Sequence, residues 1–203
     1  IPRTLSMTVY GDLDFSVINE MPKNRIPIKT VLRGEKKLPE IYNFIIDKAK
    51  EGYQTFLVYP LVEDSEKLDL KAAITFYEDL KENHLKNLKL GLIHGRMNWQ
   101  EKEEVMLRFK DKLFDVLVST TVIEVGIDIP DANIILINDA HRFGLSQLHQ
   151  LRGRVGRSNK QAYCILITKD EIAAKQNTNE LELDYLSAVQ LEKYKSSVRL
   201  QSM

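Results

Sequence analysis

Ile134-Ile135-Leu136-Ile137 is an unbroken apolar run, and its reading decides the fold. A strand with one face in water alternates apolar and polar residues, whereas a strand with no alternation is buried on both faces. Phe56-Leu57-Val58-Tyr59, Leu90-Gly91-Leu92-Ile93, Val116-Leu117-Val118 and Cys164-Ile165-Leu166-Ile167 are short runs of the same kind. Helical stripes separate them: Ile41, Phe44, Ile45 and Ala49, then Leu70, Ala73, Tyr77 and Leu80, then Val105, Met106 and Phe109. Gly52 is placed to stop the first helix. Asn98 and Glu101 have the spacing of a capping box at the start of the third. Strands separated by helices imply parallel connections. The sequence therefore predicts an α/β fold: an open, mostly parallel sheet with helices on both faces.

Working outward, residues 26–33 alternate like a strand, with Pro27 near its start. Residues 1–25 carry Gly11, Asp12, Asp14 and Pro22 among short apolar pairs and read as a connector. Residues 170–203 place Leu181, Tyr185, Leu186, Val189 and Tyr194 among many charges and read as a helical tail. The predicted domain thus spans residues 26–169.

Composition narrows the function. Lys plus Arg and Asp plus Glu each total 29. With no global field to draw nucleic acid, any such binding must come from local patches or oriented backbone groups. Cys164 is the single cysteine and lies in an apolar run, so a buried structural thiol is expected and no internal disulfide is possible. The four histidines show no metal-ligand spacing, so no bound metal is expected. No apolar stretch approaches the length of a membrane span, and the start is no signal peptide. A soluble, cytoplasmic protein with no membrane partner is the expectation.

Polar residues follow the strands. His94-Gly95-Arg96 comes after one and Ser119-Thr120-Thr121 after another. In open parallel sheets ligands gather outside the carboxyl ends of strands. The plainer reading makes Gly95 a turn residue, Thr120 and Thr121 ordinary strand-end hydroxyls, and Asp128 a turn residue before Pro130. The stretch Gln147-Leu148-His149-Gln150-Leu151-Arg152-Gly153-Arg154-Val155-Gly156-Arg157 is denser in signal. If it is helical throughout, Gln147, Gln150, Arg154 and Arg157 share one face, while Leu148, Leu151 and Val155 form an apolar one. Arg152 falls off the polar face and is expected to hold local structure. Gly153 and Gly156 would each cost such a helix about 1 kcal/mol, which points to close approach of backbone or ligand.

Gln150 to Arg157 resembles the last motif of superfamily 2 helicases, and the longer run from Phe143 to Arg157 resembles the RecG branch. The nearest relative of that branch is the transcription-repair coupling translocase Mfd. Ser119 to Pro130 resembles the preceding helicase motif, and Ile1-Pro2-Arg3-Thr4 the end of the linker joining two motor halves. Asp12-Leu13-Asp14, Ser16-Val17-Ile18 and Glu20-Met21-Pro22 also resemble RecG. The resemblance implies a RecA-like second domain of the P-loop NTPase class. It implies that Arg154 and Arg157 reach the γ-phosphate of ATP, that Gln150 senses the nucleotide, and that Asp128 meets the ribose while Gly126 admits backbone. It further implies that Gly95, Arg96, Thr120 and Thr121 meet the DNA backbone.

The chain has no Gly-x-x-x-x-Gly-Lys-Ser/Thr loop and no acidic box for Mg²⁺. The resemblance therefore implies one half of an ATP-dependent DNA helicase of repair and recombination. ATP and Mg²⁺ would be held by an N-terminal motor half, with a wedge domain in the same full-length chain and branched or double-stranded DNA as partner. By itself the piece is expected to be inactive. The tail lacks the Gly-Phe and Arg-Gly signatures of RecG's translocation segment, so the chain is expected to stop short of it. An Mfd-like motor half is the alternative, although Val122-Ile123-Glu124-Val125-Gly126 favours RecG. A non-enzymatic module that uses the basic stretch for an acidic partner is the third reading.

Overall fold

A computed structural model of the chain describes residues 26–60, 66–120 and 128–174. Its strands are β1 (Lys29–Gly34), β2 (Gln54–Val58), β3 (Leu90–Ile93), β4 (Val116–Ser119), β5 (Ala132–Ile137) and β6 (Tyr163–Thr168). The α-helices are α1 (Leu38–Lys50), α2 (Glu66–Asp79), α3 (Trp99–Lys110), α4 (Leu145–Arg152) and α5 (Asp170–Ala174). One π-helical turn, Leu80–His84, extends α2. The strands form one sheet in the order β1-β6-β5-β2-β4-β3, and every pairing is parallel.

The apolar runs do what their lack of alternation requires. In β5, Ile135 and Ile137 point to one face, where Met106 and Phe109 of α3 and Leu148 and Leu151 of α4 cover them. Ile134 and Leu136 point to the other, beneath Ile41, Tyr42 and Ile45 of α1 and beneath Leu80 and Leu85. All six residues of β5 are buried. Each large aliphatic side chain taken out of water contributes about 1.5–3 kcal/mol, so a doubly covered central strand holds both layers at once. The predicted fold class, with helices on both faces, is the observed one.

Helix ends follow local chemistry. Glu101 N donates to Asn98 Oδ1 at 2.9 Å, and Asn98 N donates to Glu101 Oε2 at 2.7 Å, which completes the predicted capping box of α3. Gly52 ends α1 with φ at +79°. The predicted tail opens with the short helix α5, where Asp170 Oδ1 accepts from Lys36 N at 3.1 Å. Residues 1–25 and the tail beyond 174 lie outside the described residues.

Candidate nucleotide and nucleic-acid edges

All strands run the same way, so the sheet has one carboxyl edge and one amino edge, and the predicted site residues divide between them. At the carboxyl edge, β3 and β4 end side by side with Ile93 paired to Ser119. Thr120 N donates to Ile93 O at 3.3 Å, which sets Thr120 beside His94. Gly95 and Arg96 follow in an exposed turn, and Lys102 reaches back from α3 to Gly95 O at 3.3 Å. Thr120 is buried, and its Oγ1 has no hydrogen-bond partner among the described residues. The same holds for Nδ1 of half-buried His94, and burial lowers the His94 pKa, keeping the ring neutral at pH 7. A hidden hydroxyl and a ring nitrogen with unused capacity on adjacent strand ends stand next to the capped amino end of α3 and an exposed guanidinium. Such a set suits an anionic backbone. Thr121 and Gly126 lie outside the described residues.

The arginine stretch departs from its predicted form. Helix α4 stops at Arg152, Gly153 caps it, and Arg154 and Arg157 lie in the turn beyond. A continuous helical face through Arg157 does not form. The reason is Gly156, whose φ of +76° no right-handed helix contains, and whose missing Cβ would stand 2.9 Å from Ile28 Cγ1. The close approach expected of the glycines is therefore to the chain's own side chains, those of Ile28 and Ala162, at this position. Gln150 is exposed on α4, and Arg154 is half-buried. Arg152 turns inward, with Nε 3.2 Å from Thr30 Oγ1 and a terminal nitrogen 3.5 Å from Ile28 O, and so holds local structure as expected.

Because α4 runs back against the strands, this turn lies at the amino edge. Arg157 there meets Asp128, with Nη1 2.9 Å from Oδ1; the side chains are 37% and 60% exposed. A β-strand rises about 3.3 Å per residue, so roughly 15–20 Å of sheet separates this pair from Thr120 and Arg96. The structure thus brings together Asp128 and Arg157, brings together His94, Gly95, Arg96 and Thr120, and keeps the two sets apart. Only the second set stands at the carboxyl edge, where bound ligands were expected to gather.

Sequence reading missed three residues of the amino edge. Asp131 accepts from Lys112 at 2.7 Å and faces Lys160 at 3.5 Å. The Lys112 ammonium holds the Asp131 carboxyl below its ordinary value, with Lys160 adding to the effect. Gln54, buried at the start of β2, donates to Phe109 O at 2.6 Å and Phe114 O at 2.8 Å, which fixes the turn between α3 and β4. Asn133 is the third. Its signal was present, a lone amide in an otherwise apolar run. Cys164 is buried, and that burial pushes its thiol up to about 12 despite nearby Arg152. It is a packing residue, as expected.

A doubly covered parallel sheet with an exposed arginine turn at one edge and phosphate-suited groups at the other is a RecA-like helicase second domain. The helicase conserved C-terminal domain family matches residues 36–159, and the chain belongs to it. Among named proteins it is 50% identical over 170 residues to the ATP-dependent DNA helicase RecG of Thermotoga maritima, covering 84% of this chain and 22% of that protein. Against the RecG of Aquifex aeolicus it is 52% identical over 177 residues, covering 87% and 22%. The chain spans about a fifth of the length of these curated relatives. Among solved structures, RecG bound to a three-way DNA junction superposes with a TM-score of 0.71 at 47% identity, over 86% of this chain and 23% of that one. Domain 2 of the DEAD-box helicase Mss116p, bound to an RNA duplex, shares the fold with a TM-score of 0.55 at 22% identity, over 70% and 55%.

Proposed function

We propose that this chain is the second motor half of an ATP-dependent DNA helicase that unwinds and remodels branched DNA, such as stalled forks and recombination junctions. The observation that carries the reading is the exposed Arg157–Asp128 pair at the amino edge. A surface ion pair of this kind contributes at most about 1 kcal/mol, so a triphosphate presented by an opposing motor half can take the guanidinium at little cost. Asp128, once released, offers its carboxylate to ribose hydroxyls. Arg157 then stabilises charge developing on the transferring phosphoryl group, with Arg154 beside it and Gln150 on the adjoining helix face. An arginine supplied across a cleft is worth about 10³–10⁵ in rate. Gly126 lets backbone approach the same cleft.

The carboxyl edge takes the other duty. Arg96, Gly95, Thr120 and Thr121 hold DNA phosphates, and the separation between the edges lets nucleotide and DNA bind together. Closing and opening of the two halves over each ATP cycle moves the grip along the duplex. Mg²⁺ and the phosphate-binding loop belong to the first half, and the wedge that splits a junction belongs to the same full-length protein. A helicase acting on branched DNA belongs in the compartment that holds the DNA, and the cytoplasm is the location proposed for it. Likeness to RecG over most of the chain supports this over an Mfd-like motor half.

The test is Arg157→Ala in the full-length enzyme that carries this chain. DNA-stimulated ATP turnover should fall at least about 10³-fold, while binding of a fluorescent ATP analogue changes little. Turnover at the unaltered rate would refute the assignment.

A further inference from the structure

We propose that the buried side chain of Asn133, acting with Ser158, is a positioning device that locks the turn carrying Asp128 to the loop carrying Arg157. The inference rests on the nucleotide role given to those two residues above.

The backbone makes room for Asn133 in an uncommon way. Gln54 pairs with Ala132 and Thr55 with Ile134, so Asn133 is the extra residue of a bulge between two parallel strands. Bulges are rare in parallel pairs, and they re-aim a side chain next to functional sites. Here the re-aimed side chain is an amide, fully buried in a strand whose other residues are apolar apart from the backbone. Both ends of that amide are used. Nδ2 donates to Pro130 O at 3.2 Å, two residues after Asp128. Oδ1 accepts from Ser158 Oγ at 3.0 Å, one residue after Arg157. Ser158 Oγ in turn accepts from Lys160 N at 3.3 Å, which closes the loop on itself.

The two segments are therefore joined at three depths. Asn133–Ser158 lies innermost, Asp131–Lys160 lies at the rim, and Asp128–Arg157 is the most exposed. Only the outermost contact has to break when a phosphate takes Arg157. The buried one stays, so the freed guanidinium and carboxylate keep facing the same volume instead of drifting with their loops. An alkyl side chain would fill the space under the bulge without joining the two segments. Errors of about 1 Å in such placement can cost about 10²-fold in rate.

The experiment uses the full-length enzyme carrying this chain. Ser158 is the residue to change, because its half-buried hydroxyl can be removed without opening the core. Ser158→Ala should lower the DNA-stimulated kcat about tenfold with KM for ATP within error, while the buried Asn133 Oδ1 it leaves unpaired lowers the thermal midpoint by only about a few degrees. Ser158→Thr, which keeps the hydroxyl, should restore turnover. Introduced into Arg157→Lys, Ser158→Ala should cause no further loss, because it acts through that arginine. The proposal is overturned if Ser158→Ala turns over within twofold of the parent, or if its loss is undiminished in the Arg157→Lys background. An Arg157→Lys enzyme with unaltered turnover would instead overturn the role of Arg157 itself, a separate comparison in the same assay.

Discussion

At the scale of single residues, Gly156 does more than the arginines around it to shape the amino edge. Its φ of +76° redirects the chain in the segment after α4, and its bare Cα lets Ile28 and Ala162 close over it. A methyl group there would have to adopt the left-handed region and also displace Ile28 Cγ1 from 2.9 Å. Gly156→Ala should therefore destabilise the domain by about 1–3 kcal/mol, read as a lower urea midpoint with an unchanged slope. A midpoint shift worth less than about 0.5 kcal/mol would show that the turn has another way to form. Asp128 and Arg157 contrast with it. Both are exposed and joined by a pair that counts little toward stability, so their substitution should be felt in turnover and hardly in folding.

At the scale of elements, the start of α3 couples local helix chemistry to the carboxyl edge. The reciprocal bonds between Asn98 and Glu101 satisfy two backbone donors and fix where the helix begins. The turn of Gly95 and Arg96 leads directly into it. Asn98→Ala should cost about 1 kcal/mol of stability, and on the proposed reading it should also weaken DNA binding by loosening Arg96. Equal affinity for a junction substrate at matched salt would separate the cap from the DNA contact. Elements were also where the sequence was most legible. Runs such as Ile134–Ile137 and Cys164–Ile167 announced themselves because burial on both faces leaves four consecutive residues with no polar side chain to alternate. The end of α4 was not legible, because the apolar stripe of Leu148, Leu151 and Val155 continues at helical spacing past the point where the helix stops. Val155 is buried all the same, delivered to the core by a turn.

At the scale of the whole molecule, Asp131 joins pieces of chain distant in sequence: the turn after α3 through Lys112, and the loop before β6 through Lys160. Its carboxyl is held below the ordinary value of 3.8. A depressed carboxyl contributes stability that is present above its unfolded value and lost as pH falls through the folded one. Asp131→Asn should therefore lower stability at neutral pH by about 1 kcal/mol. The two proteins should converge as pH drops below 3.8. Thermal midpoints compared from pH 7 down to pH 3 check this, and parallel curves across that range would contradict it.

The sequence by itself determined the layers of this protein, its buried strands, its capped helices and the residue types at its working edges. Those follow from periodicity and local propensity, which act over a few neighbouring residues. Only the tertiary structure decided that Asp128 meets Arg157 at one edge while Arg96 and Thr120 meet at the other, and that Asn133 ties two loops together beneath a bulge. Those outcomes depend on the strand order β1-β6-β5-β2-β4-β3. Strand order is set by how both apolar faces are buried at once, a constraint that no short window of sequence contains.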